Sequence, residues 1–226
     1  MARRLVVLLA VPALMLAPIG APARGVRLTN VEPAPGVILA PVSRQAGWLS
    51  LDAPRPRLLT HFQAPSYVAD LDVAPTGWAA LAVQSMFPGG ATIGGDLLSL
   101  DLRSGSMQPL VTRGDAAESF GTPAWAADGS WLLFQREDLR QPPVAYAYQA
   151  DVRYPSRIEA IGADGMGRYV VVDNARQPTL ARDGSRLAFL RSSAHGTALL
   201  LRRVDQSDER EPAASRGVDL RSRPHG

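Results

Sequence analysis

The sequence predicts an all-β fold, and three observations carry the prediction. A phrase is written twice: "PAWAADGSWLLFQR" at residues 123–136 returns as "PTLARDGSRLAFLR" at 178–191. Both copies set Asp-Gly between apolar runs, a strong hairpin signal, because the turn needs a positive φ that Gly adopts freely and Asp tolerates. The third observation is punctuation: 20 Gly and 19 Pro among 226 residues favour many short strands over long helices. A hydrophobic content of 46% with 20% charged residues is ordinary for a chain that folds around a core.

Taken from the N-terminus, "MARRLVVLLAVPALMLAPIGAPARG" opens with Arg3 and Arg4, continues through an apolar run from Leu5 to Leu16, and reaches "APA" at 21–23. A basic start, an apolar middle and a small-x-small end make a signal peptide over 1–23, so the chain is expected in the periplasm or secreted. The competing reading is an uncleaved membrane anchor, but the run is short for a bilayer span and contains Pro12. No stable span is therefore expected after cleavage. With no cysteine there is neither lipid attachment through a thiol nor a disulfide, and the core alone must hold the fold. Residues 24–46 read as a lead-in segment.

From 47 onward the chain repeats. The Asp128-Gly129-Ser130 and Asp183-Gly184-Ser185 turns join antiparallel strands, and Thr76-Gly77 in "LDVAPTGWAALAV" (71–83) takes the same place in a weaker copy. On the return strand of the first phrase, Trp131 and Leu133 alternate with Leu132 and Phe134, and the second gives Leu187 and Phe189 against Ala188 and Leu190. Strands apolar on both faces belong inside stacked sheets. A second element recurs as "GWLSLD" (47–52) and "DLLSLD" (96–101), followed by the turn-rich "APRP" and "RSGS". "RIEAIGADGMGRYVVV" (157–172) reads as strand, Gly-rich turn and strand, and "ALLLRRVD" (198–205) as the start of a further unit. Four short strands recurring at a near-fixed period are the signature of propeller blades. The predicted fold is a partial β-propeller of about three four-stranded blades over 47–205, with the start of a fourth.

The two phrases, with "GADGMGRYVVVDNARQ" ahead of the second, resemble the TolB-like, WD-related β-propeller repeat: a proline, an apolar or aromatic residue, Asp-Gly-Ser, and a strand ending in Phe. The resemblance spans about 47–205. It implies a propeller of the kind found in bacterial envelope proteins that bind partner proteins, and also attached to some exported peptidases. The matching positions are turn and core positions, so no partner-binding residue follows from them.

Three blades and part of a fourth do not close a ring, since propellers use four to eight. Ring completion is expected from a second copy, from another protein, or from blades of a longer product. The segment 206–226, "QSDEREPAASRGVDLRSRPHG", is charged, poor in apolar residues and off the repeat, and reads as a disordered tail.

Chemistry is sparse. All 24 basic residues are arginine, which removes any lysine Schiff base or phosphate-loop lysine. Cleavage after Ala23 leaves 22 arginines against 21 acidic residues, a net charge of +1 with the signs interleaved, and no nucleic-acid partner is expected. His61, His195 and His225 lack partners at metal or triad spacing, and no Gly-x-Ser-x-Gly elbow occurs. No catalytic, metal or cofactor site is expected. "FPGGATIGGD" (87–96) reads as a loop between strands, and Asp164-Gly165 as a plain turn. The one candidate binding surface is "QPPVAYAYQADVRYP" (141–155), which lengthens its blade and gathers Tyr146, Tyr148, Arg153 and Tyr154, residue types common at protein-binding hot spots. The competing view packs those tyrosines on a neighbouring sheet. The expected function is a non-catalytic protein- or ligand-binding or scaffold module of the cell envelope. The alternative is the propeller part of an exported serine hydrolase or peptidase whose catalytic domain lies elsewhere.

Overall fold

The computed structural model describes residues 37–50, 55–90, 92–141, 144–145, 152–193, 196–205 and 209–210. The signal-peptide reading, Tyr146, Tyr148, His195 and His225 lie outside the described residues, as does most of the tail. All regular structure among the described residues is β, and no helix there is long and apolar enough to cross a membrane.

Four antiparallel meanders follow one another along the chain. Sheet 1 holds β1 (Val37–Val42), β2 (Gln45–Ser50) and β3 (Arg57–Leu58). Sheet 2 holds β4 (Tyr67–Val73), β5 (Trp78–Met86), β6 (Ile93–Asp101) and β7 (Met107–Val111). Sheet 3 pairs β8 (Glu118–Trp125) with β9 (Trp131–Asp138), which then leads through a small hairpin, β10 (Val144–Ala145) and β11 (Val152–Arg153), to β12 (Ser156–Gly162) and β13 (Tyr169–Asp173). Sheet 4 holds β14 (Arg176–Leu180), β15 (Arg186–Ser193), β16 (Gly196–Arg203) and β17 (Glu209–Arg210).

The repeated phrase forms the first hairpin of sheets 3 and 4. Gly129 and Gly184 both sit at φ 69°, and in each turn the Ser N–H and hydroxyl donate to the Asp carboxylate, at 3.0 and 2.8 Å for Ser130 and 3.0 and 2.7 Å for Ser185. The weaker copy closes β4 onto β5 with one residue fewer: Ala74 N–H donates to Trp78 O, whereas Ala126 N–H reaches Trp131 O and Ala181 N–H reaches Arg186 O.

Period-two alternation then sorts each strand's side chains onto two interfaces. On β5, Ala79, Leu81 and Val83 join Leu39 and Trp48 of sheet 1, while Ala80 and Ala82 join Phe120 and Phe134 of sheet 3. On β9, Leu132 and Phe134 face sheet 2, and Leu133 meets Leu187 and Phe189 of sheet 4. Three apolar layers therefore separate four sheets, as the doubly apolar strands require. Phe120 and Phe134 meet edge to face, centroids 5.8 Å apart. The first strands β4, β8 and β14 pack in succession, and Trp125 N–H on β8 donates to Asp72 Oδ2 on β4 at 2.6 Å.

Several boundaries differ from the sequence reading. Strands begin at Val37, inside the expected lead-in, because Ser43 (φ 49°) and Arg44 (φ 71°) make a two-residue turn without the glycine that would have marked it. Residues 198–203 of the 198–205 segment lie in the third strand of sheet 4, not at the start of a unit, so beside the two-stranded β10–β11 hairpin four larger sheets are present among the described residues, the first with three strands. Glu209–Arg210, inside the expected tail, pair with β16. The stretch 87–96 is not all loop: Ile93 to Asp96 open β6. Gly94 and Gly95 are there because sheet 3 crosses them; a Cβ on Gly95 would lie 2.0 Å from Phe120 O, and one on Gly94 would lie 2.9 Å from Glu118 O. Beyond them Arg113, with its side chain 2% exposed, pairs with Asp96 at 2.9 Å and donates to Ser85 Oγ at 2.7 Å.

Candidate binding cleft

The third sheet carries the one large insertion among the described residues, between β9 and β12, and a cleft opens at its foot. Its walls come from three places in the chain. The end of β9 gives Arg136 and Asp138, the start of β12 gives Pro155, Ser156 and Arg157, and the link from β13 to β14 gives Asp173 and Asn174. Gln141 lines it from the insertion side, and the volume is about 470 Å³. A second cavity of about 20 Å³ adjoins it, sharing Pro155, Ser156 and Asn174 and adding Gln135, Glu137 and Tyr154.

Backbone bonds hold these walls. Asp138 N–H donates to Pro155 O at 2.9 Å, and Ala175 N–H donates to Ser156 O at 3.1 Å. Arg191 on β15 ties the β13–β14 link, donating to Asn174 O at 3.2 Å and Asp173 O at 3.3 Å while its guanidinium pairs with Glu209. Asn174 takes the left-handed conformation (φ 49°) that a short polar side chain tolerates.

The charges are arranged in pairs. Arg136 donates to Glu118 at 2.6 and 3.0 Å. Burial opposes ionisation of Glu118, but hydrogen bonds from Arg136 and the Gly114 N–H outweigh it and hold the carboxyl below its ordinary range. Arg157 pairs at 2.5 Å with Glu159, whose side chain is 2% exposed and which also pairs with Arg168. The Arg168 guanidinium lies over Phe120 and Phe134, 4.8 and 5.5 Å from their centroids. Asp138 accepts from Arg140 N–H at 3.1 Å. The lining is thus two guanidiniums, two carboxylates, two amides, a hydroxyl and a proline ring, with balanced charge.

Of the residues singled out from sequence, Tyr154 lies here, 38% exposed, on the smaller cavity. Arg153 is placed in β11, paired with Val144. Tyr146 and Tyr148 lie outside the described residues. His61 is exposed and apart from the cleft. Sequence reasoning missed Arg136, Arg157, Asp173 and Asn174. One signal was available: both copies of the phrase end in Arg, and those residues, Arg136 and Arg191, line the cleft and tie its wall.

No protein-family model matches the chain, and no curated protein is similar to it in sequence. Solved structures are similar in fold. A putative TolB from Agrobacterium tumefaciens superposes with a TM-score of 0.53 at 19% identity, over 74% of this chain and 55% of that one. A puromycin-hydrolyzing peptidase from Mycobacterium tuberculosis gives 0.56 at 16%, over 81% and 30%. A nidogen/laminin complex gives 0.54 at 13%, over 77% and 60%. The chain thus spans less than two thirds of the length of each. Together with four stacked antiparallel meanders, these likenesses establish that the chain has a β-propeller fold and that its sheets are blades.

Proposed function

We propose that this chain is an exported, non-catalytic propeller module that binds an extended segment of a partner protein in the cleft of sheet 3. The observation that carries this reading is the cleft's lining. Two guanidiniums already engaged by Glu118 and Glu159, two carboxylates and two amides suit the donors and acceptors of a polypeptide backbone and mixed-charge side chains better than a phosphate, which would call for unopposed cations. Tyr154 and Pro155 add the apolar contact common at protein-binding sites. The likeness to TolB supports an envelope setting.

The test is a selection from a displayed library of random peptides on residues 24–226, followed by fluorescence anisotropy of a selected peptide and mass spectrometry of the same mixture. The expected result is saturable binding, weakened roughly tenfold or more by Asn174→Arg, with the peptide recovered intact. Binding indifferent to Asn174→Arg would refute the site. A second reading, the propeller portion of an exported peptidase, draws on the likeness to the Mycobacterium peptidase, of which this chain spans 30%. Recovery of cleaved peptide would favour it.

A further inference from the structure

We propose that Asp173 sets the specificity of the cleft, its carboxylate taking an arginine or lysine side chain of the bound segment. The inference rests on the peptide-binding reading and names the chemistry of the partner.

The internal repeat supplies the standard of comparison. Glu118 and Asp173 each stand eleven residues before the glycine of their turn, Gly129 and Gly184, and Arg136 and Arg191 each stand seven residues after it. In sheet 3 the acid and the arginine meet, Arg136 donating to Glu118 at 2.6 and 3.0 Å. In sheet 4 the same two positions come together but their charges do not. Arg191 donates to the Asp173 carbonyl at 3.3 Å and to the Asn174 carbonyl at 3.2 Å, and its guanidinium pairs with Glu209, one bond being 3.0 Å. The Asp173 carboxylate is left on the cleft wall, exposed and without a partner among the described residues.

A second guanidinium is near and is also taken. Arg157 lies directly across from Asp173 in the register of β12 and β13. It pairs instead at 2.5 Å with Glu159, whose side chain is 2% exposed. A carboxylate buried to that degree needs a counter-charge, whereas one in water does not, so Glu159 takes precedence. Arg168, the other cation on Glu159, lies over Phe120 and Phe134 and does not line the cleft. On the opposite wall, Asp138 accepts only from uncharged donors among the described residues, the Arg140 N–H at 3.1 Å and Gln141 Nε2 at 3.4 Å. Both guanidiniums of the lining thus have carboxylate partners, while neither aspartate has a cation. An incoming cation forms its charge-assisted bond without breaking an existing pair, but an incoming carboxylate has to displace Glu118 or Glu159.

The test starts from peptides selected as above, N-acetylated and labelled with fluorescein, and reads anisotropy. A basic residue is expected in the selected sequences, and its replacement by glutamine should weaken binding roughly tenfold or more. Asp173→Asn should cost the same, and both changes together no more than either alone, since they remove one contact. Binding to Asp173→Asn should also fall less steeply with added salt. Asp173→Lys should reject the basic peptide and, in a fresh selection, recover acidic ones. Because the Asp173 side chain bonds nothing within the chain, circular dichroism should be unchanged in both variants. Selected peptides without a basic residue would overturn the assignment, as would a basic residue whose loss costs as much in Asp173→Asn as in the unaltered chain. Either result leaves the cleft standing if Asn174→Arg still weakens binding; indifference to Asn174→Arg removes the cleft itself.

Discussion

Replacing Gly95 with alanine tests the packing of sheet 2 on sheet 3 at one atom. The added Cβ would stand 2.0 Å from Phe120 O and 2.9 Å from Gln84 Nε2, where real contacts stay beyond 3.0 Å. Relief requires β6 and β8 to part by a full ångström, and both are backbone, so no side-chain rotation can supply it. Parting them stretches the Gly95 N–H bond to Ser119 Oγ from 3.0 Å past any useful length. An unsatisfied buried donor costs about 1–3 kcal/mol, and overpacking costs about 1–3 kcal/mol more. The expected loss is on the order of 3 kcal/mol, a large share of the ~5–15 kcal/mol that holds a domain together. Urea unfolding followed by tryptophan fluorescence reads it: with m near 2 kcal/mol/M, the midpoint falls by roughly 1.5 M. Gly184→Ala is the control, since it has the strained φ of 69° but nothing within 4 Å, and should lose only about 1–2 kcal/mol. A Gly95→Ala midpoint no lower than that of Gly184→Ala would refute the close approach of the two sheets.

Three further outcomes follow. Glu159→Gln strips the buried counter-charge from Arg157 and Arg168; because those arginines are about one-third exposed and can turn to water, the loss by urea titration should be about 2–3 kcal/mol, below that of a fully buried pair. Burial, aided by the charge of Asp72, raises the Asp70 carboxyl above its ordinary 3.8 despite the Leu71 N–H bond. Folding then favours the neutral form, so that stability is present below about pH 3.8 and lost as pH rises; Asp70→Asn should be the more stable protein at pH 7, and the gap should close in acid. Asp128 and Asp183 are lowered by the Ser130 and Ser185 backbone and hydroxyl bonds, so their contribution is present above 3.8 and lost as pH falls below it; the double Asn variant should show a shallower loss of melting temperature between pH 5 and about 2.

What could be read in the sequence was local chemistry, and what could not was long-range approach. Asp-Gly-Ser announces its hairpin because the turn's φ and its hydrogen bonds are made within three residues. The doubly apolar runs at 131–134 and 187–190 announce stacking because alternation needs no knowledge of the partner. The Gly94-Gly95 pair looked like loop because glycine serves both turns and close approaches, and only the crossing of β8 distinguishes them. The Ser43-Arg44 turn stayed hidden because neither residue belongs to the usual left-handed set. The cleft joins segments near 136, 155 and 174, and nothing in the local pattern of any one points to the others.

The most direct measurement is an amide chemical-shift map of residues 24–226 titrated with a selected peptide. Shifts are expected at Arg136, Ser156, Arg157, Asp173 and Asn174, three separated stretches moving together. Shifts confined to the turns at 128–130 and 183–185, on hairpins built by the repeat itself, would contradict that expectation and move the binding surface away from the cleft.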